Sequence, residues 1–359
     1  MKKHAIIPIF IPHRGCPHDC VFCNQRKITA HGASVSAEDI ARTVDDYMST
    51  LSAMKLETIE LSFFGGSFTG LPLKEQSAFL AIARAYKEQG VIEKIHLSTR
   101  PDYISVPILD NLKSYGVDVI ELGVQSFADP VLRASGRGHD AACIYESCAL
   151  IKEYGFTLGL QLMIGLPGDT EEFDLFSARE TAALKPQLAR LYPTVVIRDT
   201  RLYEMMEAGL YVPLTEEEAV RRTAAMYRIL TEAGINVIRV GLKSSDIMTD
   251  ERNTAGTFHP AFRQLVEGLI AREDLCTQID ALLAGAGTKN ATADDGDGRD
   301  ERIVIALISN EKSRANLFGH RSENRRFFSR HYPQVTFRFL RDCQAGLKLA
   351  DGKYLAIRM

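Results

Sequence analysis

The sequence predicts an α/β protein: a partial TIM-type (β/α)6 barrel followed by a small α+β C-terminal domain. Three observations carry that prediction. Short β-branched or apolar runs alternate with longer helical patterns over the first 240 residues, those runs are apolar on both faces, and the texture changes near Ala284. Strands apolar on both faces and separated by helices form a parallel sheet that the helices cover. In such a barrel, chemistry gathers at the C-terminal ends of the strands.

The elements follow in order. Strands are expected at 5–11, 57–64, 93–99, 117–124, 157–165 and 188–196, with helices at 36–53, 73–89, 105–115, 140–154 and 170–184 between them. Ser36-Ala37-Glu38-Asp39 and Asp169-Thr170-Glu171-Glu172 place capping oxygens and acidic first turns ahead of apolar periodicity. Tyr154-Gly155 and Lys185-Pro186 supply stops. A helix at 215–233 leads to a strand at 237–242, expected at the sheet edge or at the start of a second layer. The barrel domain is therefore set at 1–245, with 246–283 extending it. Residues 284–300, AGAGTKNATADDGDGRD, are small, polar and aperiodic, and read as a linker or long loop. A small basic domain at 301–359 completes the chain, with strands at 303–308 and 335–340 and a helix at 322–331.

Composition narrows the function classes. The 359 residues carry 43 Lys plus Arg against 46 Asp plus Glu and are 45% hydrophobic, which excludes disorder, collagen and a disulfide miniprotein. A net charge of -3 leaves no global field to collect nucleic acid or anionic membrane, so any such binding needs a local patch. No 18-residue apolar run exists and the N-terminal apolar stretch is short and cut by Pro8 and Pro12. No membrane association and a cytoplasmic location are expected.

In that location thiols stay reduced, and a tight cysteine group suggests metal. Cys16, Cys20 and Cys23 form C-x3-C-x2-C directly after the first strand, while Cys143, Cys148, Cys276 and Cys343 are scattered. Three thiolates on a short loop bind three irons of a cubane [4Fe-4S] cluster and leave the fourth open to a non-protein ligand. The competing readings are a structural zinc completed by His13 or His18, or three unrelated thiols. No second C-x2-C pair exists to favour zinc.

C-x3-C-x-aromatic-C after a first strand, with Phe22 as the aromatic, resembles the signature of the radical S-adenosylmethionine (SAM) superfamily. The blocks HRGCPHDCVFCNQRKITAHG, FFGGSFTGLP, LSTRPDYI, ELGVQSF, SGRGH, MIGLPGDT and LYPT run in order from about residue 8 to residue 260. They resemble the group related to the catalytic subunit of Elongator and, more distantly, oxygen-independent coproporphyrinogen oxidase. The resemblance implies that SAM chelates the open iron and is cleaved to methionine and a 5'-deoxyadenosyl radical, with an electron donor such as flavodoxin or ferredoxin.

It also implies site residues. The segment Gly65-Gly66-Ser67 ends the second strand, where glycines let backbone approach a ligand, and in the resembled family its carbonyl accepts from the methionyl amino group. The oxidase resemblance carries SAM binding onto Gln125 and Arg137; an Arg fork holds a carboxylate bidentately. Two positions depart from the pattern: Ser98 stands where many Elongator-like sequences have Glu, and Gln161 where the oxidase has Asp. Both remain polar candidates for the ribose. Gly165, in Gly165-Leu166-Pro167-Gly168, is a candidate adenine-side turn. Arg100 and Asp102 match an R-P-D block and read equally as substrate contacts or as an ordinary brace.

Tyr192, at the end of the sixth strand, is the candidate catalytic residue for radical quenching or substrate contact; His259 is similar. His13 and Arg14 are expected to shield or tune the cluster. Cys143 and Cys148 fall in a helical pattern and read as core.

Between Asn310 and Arg341 eight Lys or Arg stand against two Glu, interleaved with six aromatics. Basic plus aromatic is the composition of RNA recognition; the other reading is a solvated basic helix face over a small aromatic core. Gly319-His320-Arg321-Ser322 resembles a KH loop without its second glycine. No Gly-rich acetyl-CoA loop follows residue 260, the roughly 100 residues left are few for an acetyltransferase domain, and the cluster motif has the short first interval. The expected function is thus a radical SAM enzyme on an unidentified substrate, RNA or a small metabolite. The alternatives are a coproporphyrinogen-oxidase-like enzyme, disfavoured by the roughly 15 residues ahead of the loop, and a non-catalytic, metal-stabilised RNA-binding protein.

Overall fold

The computed structural model describes residues 4–11, 16, 20–23, 35–242, 254–255, 258–287, 303–311, 313–342 and 355–359. The chain divides into two compact units, Met1–Pro260 and Ala261–Met359. The first is built on seven parallel strands in the order β1-β2-β3-β4-β5-β6-β8. Their ranges are β1 His4–Ile11, β2 Thr58–Gly65, β3 Lys94–Thr99, β4 Val119–Gln125, β5 Thr157–Ile164, β6 Leu188–Pro193 and β8 Asn236–Val240. Each neighbour follows its predecessor through a helix, so sequence order and spatial order coincide, and β8 takes the edge expected for 237–242. With β1 and β8 unpaired to each other, the sheet is a partial barrel.

The helices occupy the predicted windows because their ends are chemically marked. Ala37–Leu51 begins with a capping box in which Ser36 and Asp39 exchange side-chain-to-backbone hydrogen bonds. Glu171–Leu184 is capped by Thr170 and ends where Lys185 turns left-handed (φ 48°) ahead of Pro186. Cys148, fully buried in Ala141–Glu153, packs as an apolar residue, and burial pushes its thiol up to about 12.

The two faces of the sheet differ. Ile7, Leu61, Ile95, Leu97, Leu122, Leu160, Leu162 and Leu191 are wholly buried and form the apolar layer under the helices. The alternate positions point into the barrel and carry Glu60, His96, Ser98, Glu121, Gln161, Arg190 and Tyr192. The lining of the barrel therefore carries a polar and charged set, with the Phe64 ring against His96 and Arg190.

Shorter elements fall between the predicted ones. Helices Asp129–Ala134 and Arg201–Glu207 add turns after β4 and β6. The expected strand 188–196 stops at Pro193, and Val196–Ile197 (β7) instead pairs antiparallel with Thr254–Ala255 (β9).

The second unit changes the expected domain boundaries. Phe262–Gly287 is one continuous helix inside this unit, so the stretch 246–283 is not an extension of the barrel beyond Pro260, and the first residues of the expected 284–300 linker are helical. Leu275 and Ile279 from that helix pack with Ile305, Leu307, Phe328, Tyr332 and Ile357. The sheet is wholly parallel, in the order β11-β10-β12, with β10 Ile303–Ser309, β11 Val335–Arg341 and β12 Leu355–Arg358. A short helix, Arg314–Phe318, and the helix Glu323–His331 lie between β10 and β11. Gly319 is required here: at φ 70°, a Cβ would stand 2.9 Å from the Asn324 side chain, whose amide bonds Gly268 and Asn316 carbonyls.

Candidate functional site

The three motif cysteines lie at the C-terminal end of the barrel, where the loop after β1 is pinned by backbone bonds to distant segments. The Val21 amide donates to the Ser135 carbonyl at 3.1 Å, the Leu202 amide donates to the Val21 carbonyl at 2.7 Å, and the Cys23 amide closes a turn onto the Cys20 carbonyl at 2.9 Å. Phe22, expected beside the cofactor, packs between two apolar clusters, one around Val21, Val196, Leu202 and Tyr211, the other around Ala128, Val131 and Leu166. Its observed work is to seat the loop.

Two of the motif thiols, Cys16 and Cys20, have a polar companion. The Cys16 thiol lies 3.2 Å from the Ser67 hydroxyl at the end of β2. Cys20 is buried, and Arg137 Nη1 donates to its sulfur at 3.3 Å while Arg100 Nη1 approaches at 3.8 Å. Both arginines are nearly inaccessible. Arg100 is braced by two 2.9 Å bonds to Asp102 and donates to the Arg137 carbonyl; Arg137 Nη2 donates to the Gly123 carbonyl. Burial alone would lower the Arg100 pKa, and Asp102, with Cys20 and Cys16 behind it, outweighs that and raises it. Two fixed cations beside one sulfur offset the negative charge of a thiolate ligand.

The glycines of β2 answer to the neighbouring strand. Gly65 has φ 105°, and a Cβ there would meet the Ile11 carbonyl oxygen at 2.8 Å, the same oxygen that accepts from the Gly66 amide at 2.8 Å. The missing Cβ of Gly65 thus makes room for β1.

β4 ends in a bulge between Gly123 and Gln125, and Gln125 adopts φ 69°, a left-handed backbone costly for a non-glycine residue. That twist turns its amide inward, where Gln161 Nε2 donates to Gln125 Oε1 at 3.1 Å. Gly123 leaves room for it, since a Cβ would stand 2.9 Å from Gln125 Nε2. Gly165 (φ 80°) is confined by Leu214; its amide donates to Asp169 at 2.9 Å and its carbonyl accepts from Tyr211 at 2.7 Å, so it builds the turn after β5.

Elsewhere inside the barrel, Ser98 donates to Glu121 at 3.3 Å and Tyr192 accepts from Arg190 Nη1 at 3.2 Å. Glu121 and Arg190 pair at 2.7 Å, His96 lies 3.9 Å from Glu121 and 2.7 Å from Glu60, and Ser62 donates to Glu60 at 2.7 Å. Burial would raise the Glu60 pKa, but the His96 hydrogen bond and charge and the Ser62 hydroxyl outweigh it, holding the carboxyl at about 2. Burial raises the Tyr192 phenol above its ordinary value. Sequence reading passed over this network, although charged residues inside strands otherwise buried on both faces are a legible anomaly.

The predicted residues thus gather in two levels. Cys16 meets Ser67 and Cys20 meets Arg137 at the mouth, while Gln125 and Gln161 line the interior, with Ser98 one step nearer the N-terminal ends of the strands and Tyr192 one step nearer their C-terminal ends. His13, Arg14 and His18 lie outside the described residues, as does Cys343.

Among the described residues, no three His, Cys, Asp or Glu side chains gather around a single metal ion. A cubane takes one thiolate at each of three irons and does not ask its sulfurs to meet at one point. The donor set fits that group, and Arg137 Nε, buried and without a hydrogen-bond partner among the described residues, is a donor left over for an anionic ligand such as a carboxylate.

A parallel partial barrel with a three-thiol loop over its C-terminal mouth defines the class of radical SAM proteins. The chain belongs to the radical SAM superfamily: that family's model matches residues 10–175, and the model of the radical SAM C-terminal domain matches 186–272. It is an enzyme of that superfamily, whose cofactors are a [4Fe-4S] cluster and SAM. It is 26% identical over 254 residues to the tRNA uridine(34) acetyltransferase of Methanocaldococcus infernus, covering 60% of this chain and 48% of the relative. With human Elongator complex protein 3 it is 28% identical over 265 residues, covering 61% of this chain and 48% of the relative. The chain spans about half the length of these curated relatives. The solved archaeal Elp3 from M. infernus, carrying an N-terminal deletion, superposes with a TM-score of 0.63 at 22% identity over 77% of this chain and 64% of its own, a likeness of fold.

Proposed function

We propose that Cys16, Cys20 and Cys23 ligate the [4Fe-4S] cluster, that Arg137, Gln125, Gln161 and Ser98 hold SAM beneath it, and that the substrate is an RNA. The observation that carries the first part is the meeting of Cys20 with Arg137 at the mouth of a polar barrel, with one Arg137 donor unspent. When bound, the cluster supplies the electron that cleaves SAM to methionine and the hydrogen-abstracting 5'-deoxyadenosyl radical.

The chain's residues orient and enclose. Arg137 Nε offers its proton to the methionyl carboxylate, and the Gln125–Gln161 amide pair, with Ser98 below, offers hydrogen bonds to ribose hydroxyls in place of the carboxylates common in relatives. Tyr192 faces the same interior, with Arg190 donating to its oxygen so that its own O–H stays free to point at a substrate. Hydrophobic seating of Phe22 keeps water from the loop side.

RNA as substrate is supported by the names of the relatives, which act on or are named for tRNA uridine 34 in the archaeal case, and by the exposed arginines of helix Glu323–His331. Acetyl transfer is not part of this reading. The test is anaerobic reconstitution, with roughly four iron and four sulfide per chain expected, then 5'-deoxyadenosine formation with RNA and small-molecule extract fractions supplied separately. Stimulation by the RNA fraction that ribonuclease abolishes supports the reading. Stimulation by the small-molecule fraction alone overturns the substrate.

A further inference from the structure

We infer that Arg100 is a positioning residue that fixes the Cys20 sulfur and raises the reduction potential of the cluster it ligates. The inference rests on the proposed ligation by Cys16, Cys20 and Cys23.

Arg100 follows β3 and is 3% exposed, a burial that a cation tolerates only when its donors are satisfied. Nε and Nη2 each lie 2.9 Å from an Asp102 oxygen, Nη2 also donates to the Arg137 carbonyl, and the Tyr103 ring centroid stands 6.0 Å from the guanidinium carbon. The fork is thereby immobilised, leaving Nη1 aimed at Cys20 Sγ at 3.8 Å. The residue whose carbonyl it holds is the one whose own guanidinium meets the same sulfur at 3.3 Å. One bidentate carboxylate therefore orients Arg100, which in turn holds the Arg137 main chain.

Reduction adds an electron and one negative charge to the cluster, and nothing else changes in the balance. A cation or a hydrogen bond at a ligand sulfur stabilises that reduced form and raises the potential. Asp102 carries the opposing charge but lies behind the guanidinium, so the nearer group sets the sign. Removing the cation and removing its counter-charge must then shift the potential in opposite directions, whereas a brace of purely mechanical purpose would shift it the same way in both.

The experiment is an EPR-monitored dithionite titration of reconstituted wild type, Arg100→Gln, Arg100→Lys and Asp102→Asn, with iron counted in each. At the poise that half-reduces the wild-type cluster, Arg100→Gln is expected to show an about tenfold lower reduced-to-oxidised ratio, equivalent to about 59 mV. Arg100→Lys should fall between, and Asp102→Asn should show a higher ratio than wild type. An unmoved ratio in iron-replete Arg100→Gln, or displacement of Arg100→Gln and Asp102→Asn in one direction, overturns the inference. If Arg100→Gln takes up no iron, the sign of the Asp102→Asn displacement decides alone. Failure of wild type to take up iron would instead sink the ligation beneath it.

Discussion

Arg137 and Cys20, 117 residues apart, meet at 3.3 Å, and the same guanidinium reaches the end of β4 through the Gly123 carbonyl. One side chain therefore ties the loop after β1 to the fourth strand, and its remaining Nε is a buried donor without a hydrogen-bond partner among the described residues. If that donor serves the SAM carboxylate, Arg137→Ala removes a charge-assisted hydrogen bond worth about 1.5–3 kcal/mol. SAM binding to reconstituted protein should weaken by roughly 10- to 150-fold. Equilibrium dialysis on iron-replete protein measures it; wild-type affinity in the variant would remove Arg137 from the SAM site.

Gly65 offers a test in which fold and site are coupled. Its φ of 105° and the 2.8 Å approach of the Ile11 carbonyl to the missing Cβ leave alanine no room, because the obstacle is backbone. Gly65→Ala should cost about 1–3 kcal/mol from backbone strain alone and pull the end of β1 away from β2, lowering cluster occupancy. Chemical denaturation of the apo-protein reads the first effect and iron content the second. An alanine variant of wild-type stability would mean that β1 simply yields.

The Glu60 carboxyl gives a pH signature. Its folded value, about 2, lies below its ordinary 4.5, so the ionised form is favoured by folding. The stabilisation is fully present above pH 4.5 and is lost as pH falls toward 2, amounting to about 3 kcal/mol at one pKa unit per 1.36 kcal/mol. Wild type should lose stability steeply across that acid window. Glu60→Gln should be less stable at neutral pH and flatter below 4.5; parallel curves would assign the acid sensitivity to other carboxylates.

How much was legible follows from what sequence encodes locally. Strand and helix windows were readable because apolar period and caps are local properties: Ser36 and Asp39 mark a helix start in any context. The three cysteines stood out because residue type and spacing are local, whereas the neighbours of two of them, Ser67 and Arg137, come from distant segments of the chain. Arg100 was read as a substrate contact or as half of an Asp–Arg brace and not as a neighbour of Cys20, since that approach spans 80 residues. Gly65 was read for ligand access, and its close contact with Ile11 was hidden because it depends on the register of β1 against β2. The helix Phe262–Gly287 went unassigned to the second unit because what decides its membership is the pairing of Leu275 and Ile279 with Ile305 and Phe328.

The second unit's basic surface separates phosphate contact from base stacking. Phe328 and Tyr332 are buried in its core, Phe318, Phe337 and Phe339 pack against that core, and Phe327 stands between Arg272 at 4.8 Å and the stacked His331 ring at 5.0 Å. The aromatics are thus occupied, and what the helix presents outward is Arg325, Arg326, Arg330 and His331, with Glu323 and Ser329 beside them. RNA held there should be held by its backbone, with an affinity that falls steeply as salt rises. Each lost phosphate contact reduces the log–log salt slope by about 0.7–0.9. The double variant Arg326→Glu, Arg330→Glu should therefore lower the slope by about 1.5 and weaken binding alike across RNA sequences. Filter binding of a structured and an unstructured RNA between low and physiological salt checks both. An unchanged slope, or a loss confined to one sequence, would move RNA contact off this helix.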